Sequence, residues 1–488
     1  MATRTDIPQR LDRLPWSRWH WTIVVGLGIT WILDGLEVTM VGSIGSRLQD
    51  KTALGLSATD VGFSATVYLI GAVIGSLVFG YATDRYGRKK LFMVTLGWYL
   101  VATLLTATSW NLWSFLAFRF LTGLGIGGEY SAINSTIDEL IPSKRRGWVD
   151  LAINGTYWMG AILGSGASIV LLNPAYVDQH FGWRLAFGIG AVLAISIVFI
   201  RKGIPESPRW LLTHGRGREA IATLETIEAT VRAQTGAPLP PVNGDMTIDA
   251  ERRHSLGDVW RTMTVTYPQR TTVAFALMIT QAFLYNAIFF TESLVLSTFF
   301  HVPAQNVGYY IFPFAIGNLL GPLLLGHLFD SVGRRPMIAG TYALSGILLL
   351  GTGVLFMRGV LDATTITVCW CVIFFFASAG ASAAYLTVSE IFPLEIRAMA
   401  IAIVYSVGTL VGGAVGPLLF GALIATKSPT SIFYGYAIGA VAMIAGAAIE
   451  WWIGVEAARK RLEDVAIPLS ASVPAASRDL ATAPTSGA

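Results

Sequence analysis

The chain has 488 residues, of which 53% are hydrophobic and only 13% charged, with a formal net charge of +4. That charged share is about half of what soluble proteins carry, and the mean hydropathy is +0.59. A soluble protein of this length splits into domains whose surfaces this composition cannot cover, and the small basic excess sits in loops and calls for no nucleic-acid partner.

The N-terminal tail carries Arg4, Arg10, Arg13 and Arg18, and the first apolar run follows near 20–46. That run is too long for a signal-peptide core and lacks a small-residue cleavage site, so it is expected to stay as a span. Inside it, WILDGLEVTM (31–40) places Asp34 and Glu37 three residues apart. On a helix they share a face, roughly 5–6 Å apart. Each acid costs on the order of 3 kcal/mol at a membrane centre, and two so close cannot both ionise cheaply in low dielectric.

Further spans are expected at 61–83, 91–108, 112–137, 151–177, 183–200, 271–297, 306–329, 336–357, 364–389, 398–426 and 428–449. A helix crosses the hydrocarbon core in about 20 residues, which gives twelve. Lys and Arg gather in the tail, at 85–90, 144–146, 334–335 and 459–461, while the alternating loops hold few. By the positive-inside rule both termini are expected in the cytoplasm, in a multi-pass protein of the plasma (inner) membrane. Cys369 and Cys371 lie within an uncharged span and read as buried thiols; no metal site is expected.

The long central loop contains an amphipathic helix at 216–234, with Ala220, Ile221, Leu224, Ile227 and Val231 on one face. A breaker, GAPLPPVNGD, and a helix-start signal at 255–258 follow. The organisation expected is a tail (1–18), a six-helix bundle (19–202), a cytoplasmic loop (203–269), a second six-helix bundle (270–455) and a largely disordered tail (456–488), rich in Ala, Ser, Pro and Thr from Ala466.

The halves repeat. GYATDRYGRKK (80–90) follows the second span and GHLFDSVGRRP (326–336) the eighth; ELIPSKRRG (139–147) follows the fourth and EIFPLEIRA (390–398) the tenth. Parallel repeats with a solute site between them are a transporter architecture. The candidate gate residues are Gly80, Asp84, Arg85, Gly87, Arg88, Glu139, Arg145 and Arg146, with Asp330, Gly333, Arg334, Glu390 and Arg397 in the second half. Opposite charges at neighbouring helix ends can pair and separate, which makes a bistable element.

Over residues 15–455 the chain resembles the major facilitator superfamily, in its sugar-porter and metabolite–proton symporter branch. DRYGRKK, RFLTGLGIGGEY (119–130), GWR (182–184), PESPRWL (205–211) and the two E-x-x-P-x-x-x-R runs carry the resemblance. It implies an all-α membrane fold of two pseudo-symmetric six-helix bundles, an inner gate built from the repeated motifs, and loop helices attached to it by PESPRWL. No nucleophile–base pair or phosphate loop argues for an enzyme; GLGIGG (123–128) lies inside a span, where helix packing explains it.

Arg119 lies about two turns inside its span and needs an acidic partner on a facing helix. The resemblance supplies the first-span acid and a proton switch. Asp34 is the favoured proton carrier, with Glu37 tuning it or facing the solute, and Glu129 is a second coupling candidate. Substrate candidates are Gln281, Tyr285 and Glu292 on one face of the seventh span with Asn286 beside them, and Asn154, Tyr157, Trp158, Tyr385 and Tyr405 elsewhere. Sugar porters carry Q-Q-x-x-G-x-N-x-x-x-Y-Y here, and this chain keeps only Gln281 and Asn286. Asn154 replaces Gln, Tyr385 replaces Trp, and Ala381-Ser382 replaces Gly-Pro, so hexose is disfavoured.

D-G-x-[DE] joined to GGEY resembles aromatic-acid and related organic-acid proton symporters, which usually have a second Asp where this chain has Glu37. Aromatic side chains can stack on a planar solute and Arg119 can hold a carboxylate. The function expected is proton-coupled import of a small carboxylate-bearing or aromatic metabolite by a monomer in the lipid bilayer, driven by the proton gradient with no cofactor. Sugar or polyol symport, or a receptor-like protein that does not transport, are the alternatives.

Overall fold

In a computed structural model the described residues are 2–48, 51, 53–56, 58–171, 176–178, 181–201, 205–242, 246–249, 255–289, 291–302 and 308–469. Twelve long helical segments fill two bundles. In the first half these are α1 (Arg18–Leu48), α2 (Ala58–Tyr86), α3 (Arg88–Ala107), α4 (Leu112–Leu140), α5 (Arg146–Leu171) and α6 (Gly182–Arg201). The second half holds α7 (Pro268–Phe289), α8 (Gly308–Ser331), α9 (Arg334–Met357), α10 (Ala363–Ile391), α11 and α12 (Pro429–Ile453). α11 runs as Arg397–Gly408 and Ala414–Ala425 with a π-helical turn, Thr409–Gly413, between them.

Hydrocarbon offers no hydrogen bonds, so backbone groups must be satisfied within each helix. Among the described residues nine helical segments are long and apolar enough to cross a membrane; α4, α5 and α6 pack among them. The internal repeat extends to the helix starts. α4 opens on a capping box between Asn111 and Ser114, and α10 opens on the same device between Asp362 and Thr365.

Within the first half, α2 packs on α4 and α1 on α5; across the halves, α5 meets α8 and α2 meets α11. Glycine permits the closest approaches. A Cβ on Gly127 would stand 1.8 Å from the Ala72 carbonyl oxygen, so the GLGIGG run serves helix packing.

Two expectations differ from the structure here. The seventh span breaks: α7 ends at Phe289, Thr291 lies in a turn, and a separate helix, Glu292–Phe300, begins. The C-terminal tail is ordered through 469, with a short helix Leu462–Val465, buried Ala466 and a bond from the Leu469 N–H to Glu395. Residues 470–488 lie outside the described residues.

The N-terminal tail also folds onto the central loop. Strand β1 (Ala2–Thr5) pairs antiparallel with β2 (Met246–Asp249), and the helix Ile7–Asp12 lies on the loop helix Gly217–Thr235. Ile7, Leu11 and Leu14 cover Ala220, Leu224, Ile227 and Val231. Ile221, expected on that face, is 45% exposed, because it lies about 100° around the helix from Ala220 and off the centre of the stripe.

Candidate functional site

A cavity of about 400 Å³ lies between the halves, within the usual range for small-molecule sites. Asn154, Tyr157 and Trp158 from α5, Gln281, Tyr285 and Asn286 from α7, Tyr385 from α10 and Tyr405 from α11 all line it. Glu292 does not. The break after Phe289 takes it off the α7 face, and it is 1% exposed, with no hydrogen-bond partner for either oxygen among the described residues.

Rings dominate the wall. Trp31, Tyr130, Tyr385 and Tyr405 form one group, with Tyr130 4.8 Å from Trp31 and 4.7 Å from Tyr405 between centroids. Trp158 sits against Tyr285 and Phe289 in another, at 5.9 and 5.4 Å. The polar atoms are sparse. Tyr285 donates to Asn318 at 2.8 Å, and the Asn154 amide donates to Asp150 while its own oxygen is buried without a partner among the described residues. A planar solute with a few donors or acceptors matches such a wall.

The buried charges stand at the same wall. Arg119 lines the cavity and pairs with Glu37 at 2.5 Å, both side chains being almost fully buried. Its guanidinium also lies over the Tyr68 ring, 4.3 Å from the centroid, and its Nε has no partner among the described residues. The first-span acid expected to meet Arg119 therefore has an identity: it is Glu37, and Asp34 has other partners. Asp34 accepts from the Tyr130 hydroxyl at 2.5 Å and from Tyr68 at 3.4 Å. Both phenols line the cavity, so each contacts the carboxylate on one side and the solute space on the other. Glu129 is buried nearby and shares with Asp34 a void of about 10 Å³, at the lower limit for one water.

On the face bearing the tails and central loop, the repeated motifs interlock. Arg88 binds Glu139 at 2.8 Å and Asp84 at 3.3 Å. Its mate Arg334 binds Glu390 at 3.0 Å and Asp330 at 2.9 Å. Asp84 accepts the backbone N–H groups of Ala398 and Met399 at the start of α11, in the other half. Asp330 accepts those of Gly147 and Trp148 at the start of α5. Arg146 reaches Glu390 at 3.5 Å, and Arg397 lies 4.0 Å from Glu139. The two halves are thus joined on this face.

Gly87 and Gly333 take positive φ, +103° and +126°, just before α3 and α9, a region open to glycine at little cost. Gly80 is buried within α2. Arg85 and Arg145 stand apart from the network: Arg85 donates to Tyr81, and Arg145 lies over the Trp16 ring. Both are exposed, Arg85 at the end of α2 and Arg145 in the turn before α5, whereas Arg88 and Arg146 are buried.

Two acids cap the motif helices: Glu206, within the PESPRWL run expected to attach the loop helices, and Glu456, which no motif singled out. Glu206 accepts the Arg88 and Lys89 N–H groups, and Glu456 accepts those of Arg334 and Arg335. Both occur in E-x-x-R, at Glu206–Arg209 and Glu456–Arg459, a third repeat that would have revealed them. Burial raises the Glu206 carboxyl above its usual range, against the opposing pull of Arg88 and the backbone donors. Trp31, Tyr68, Tyr130, Phe289, Ser378 and Thr409 also line the cavity. Of these, Trp31 opens WILDG and Tyr130 closes GGEY, beside the acids.

Residues 37–467 match the sequence model of the family described as sugar (and other) transporter. The niacin transporter NiaP of Acinetobacter baylyi is 26% identical over 464 residues, which cover 95% of this chain and 100% of that protein. The putative metabolite transport protein YyaJ of Bacillus subtilis is 28% identical over 435 residues, 88% and 91% of the two chains. The putative niacin/nicotinamide transporter NiaP of Bacillus subtilis is 24% identical, covering 90% and 96%. In three dimensions the chain superposes on the proton:xylose symporter XylE bound to 6-bromo-6-deoxy-D-glucose with a TM-score of 0.75 and 20% identity, over 92% and 98% of the two chains. At that identity the likeness establishes the fold.

Proposed function

The chain belongs to the sugar (and other) transporter family, and from that premise we propose that it is a proton-coupled symporter importing a small carboxylate-bearing or aromatic metabolite. The observation that carries this reading is the join between acids and cavity. Asp34 is hydrogen-bonded to Tyr130 and Tyr68, and both phenols line a ring-rich solute space that also contains Arg119. A proton arriving at Asp34 changes what those phenols donate to, and so changes the wall the solute meets. Arg119, with one edge on Glu37 and Nε unpartnered among the described residues, is the cation available to a solute carboxylate. Two relatives are named for niacin, a pyridine carboxylate, and one of them also for nicotinamide, its amide, which supports a flat aromatic solute.

Alternating access then follows from the gate. With the charged motifs paired the tail-bearing face is closed; their separation opens it. The Lys and Arg bias supports a cytoplasmic placement of that face, in a protein of the inner membrane. A monomer suffices, and the proton gradient is the energy source. A sugar or polyol is the second reading, favoured by the amides and hydroxyls of Asn154, Gln281, Asn286, Ser378 and Ser382 on the wall.

The test is uptake into proteoliposomes under an inward proton gradient, wild type against Asp34→Asn, with pyridine and benzene carboxylates beside pentoses and hexoses. Aromatic carboxylates are expected to accumulate, and the accumulation to vanish with a protonophore and in Asp34→Asn. Uptake of sugars alone overturns the substrate class. Gradient-driven uptake that survives Asp34→Asn moves coupling to Glu37 or Glu129.

A further inference from the structure

On the tail-bearing face lies another cavity, of about 560 Å³, which nothing in the transport cycle requires. Four separate stretches build its wall: the N-terminal tail, the turn at 142–145, prolines 240–241 of the central loop, and Arg461 of the C-terminal tail. Its charged lining is Arg13, Lys144, Arg145 and Arg461 against one acid, Asp12. Asp12 is committed outward, to Arg209 at 3.1 Å, Arg146 at 3.7 Å and the Ser143 N–H at 3.1 Å. Arg13 is matched by Glu228 and Arg461 by Asp464. Lys144 and Arg145 form no ion pair among the described residues; Arg145 lies over the Trp16 ring, 5.1 Å from its centroid.

The wall also holds donors without acceptors. The Trp16 indole N–H and the Arg13 Nε are buried and unpartnered among the described residues. A buried donor left without an acceptor costs about 1–3 kcal/mol. An incoming acceptor recovers that cost, and two uncompensated cations favour an anion. Prolines and the indole supply an apolar side, and the volume is that of a small-molecule site.

We propose that this cavity binds a phosphate ester of roughly nucleotide size, its phosphate oxygens on Lys144, Arg145 and the orphaned N–H donors, its remainder against Trp16 and the prolines. Such a ligand bridges both tails, the central loop and the residue preceding Arg146. Arg146 reaches Glu390 across the halves, so occupancy holds the gate closed and slows transport. The inhibitory role rests on the proposed transport cycle; the binding does not.

The same chemistry is available from a soluble nucleotide or an anionic lipid headgroup. Full-length protein in phosphatidylcholine nanodiscs is titrated with ATP, inorganic pyrophosphate and adenosine, and a second set of nanodiscs contains phosphatidylglycerol. Tryptophan fluorescence and calorimetry report binding. ATP is expected to bind, pyrophosphate to compete, adenosine to fail, and the double variant Lys144→Gln/Arg145→Gln to weaken ATP at least tenfold with an unchanged melting temperature. Binding that appears only as protection by phosphatidylglycerol, and is lost in that variant, identifies the source as lipid. Absence of binding by ATP, pyrophosphate and phosphatidylglycerol overturns the site, as does equal affinity in the double variant. Uptake that is unaffected by saturating ATP on the tail-bearing side overturns the inhibitory role alone.

Discussion

Asp84 and Met399 belong to opposite halves of the molecule, and the Asp84 carboxylate accepts the Met399 backbone N–H at 2.8 Å. Asp330 holds the Trp148 N–H at the same distance from the other side. Each acid satisfies first-turn donors that a helix leaves open and sits at the positive end of that helix. A single device is therefore used twice, about the pseudo-twofold axis. Hydrogen bonds to charged groups contribute about 1.5–3 kcal/mol each. Asp84→Ala is expected to shift the closed–open ratio of this face at least tenfold toward open, and Asp84→Ala/Asp330→Ala further. Thiol-labelling rates of a Ser76→Cys reporter measure the shift, because Ser76 is buried between the halves and bonds the Ala402 carbonyl.

The Arg119–Glu37 pair and Asp34 make separable predictions. Removing one partner of a buried ion pair strands the other, at about 3–5 kcal/mol. Glu37→Gln is therefore expected to lower the melting temperature markedly, along with all transport modes. Asp34 has phenols rather than a cation as partners, so Asp34→Asn is expected to fold near wild type, to lose gradient-driven accumulation and to keep solute exchange. Thermal melts and counterflow assays of the two variants check this. Equal losses of stability in both sink the division of labour.

That division also marks where the sequence stops being informative. The helical spans and the paired charges of the repeated motifs were legible because hydropathy and repeated motifs are local signals. Eight cavity residues were legible because polar and aromatic side chains are conspicuous inside apolar runs. Which acid meets Arg119 depends on how α1 rotates against α4, and no spacing within α1 encodes that rotation. Glu292 was misplaced because an i, i+11 face exists only if the helix continues, and the turn at Thr291 ends it. The fold of the N-terminal tail was hidden because Ile7, Leu11 and Leu14 acquire a purpose only once the loop helix offers its apolar stripe.

Reciprocal glycine contacts set the position of both acids. A Cβ on Gly35 would stand 1.9 Å from the Tyr157 carbonyl oxygen, and one on Gly160 would stand 1.9 Å from that of Ile32. Backbone cannot yield there as a flexible side chain does, so α1 and α5 must separate by more than an ångström. Gly35→Ala is expected to displace Asp34 and Glu37 together and to cut uptake below a tenth while the chain still inserts. Gly188→Ala, at a position with nothing within 4 Å of the added carbon, is the control and is expected to match wild type.

The tail's attachment carries its own pH dependence. Arg10 and Arg13 each contact Glu228 at 2.6 Å, and this one carboxylate fastens the tail helix to the loop helix. Burial pushes the Glu228 carboxyl up, but the two arginines outweigh it and hold it below its ordinary 4.5. An acid depressed in the docked state contributes its full stabilisation above the undocked value, and that contribution fades as pH falls through the depressed one. Docking is therefore expected to be constant down to about pH 4.5 and to weaken below it. Hydrogen exchange of residues 7–14, corrected for the intrinsic rate, measures this. Glu228→Gln is expected to loosen docking at pH 7 by about 1–2 kcal/mol and to abolish the acid-dependent step. The same step in wild type and variant would assign it to another group.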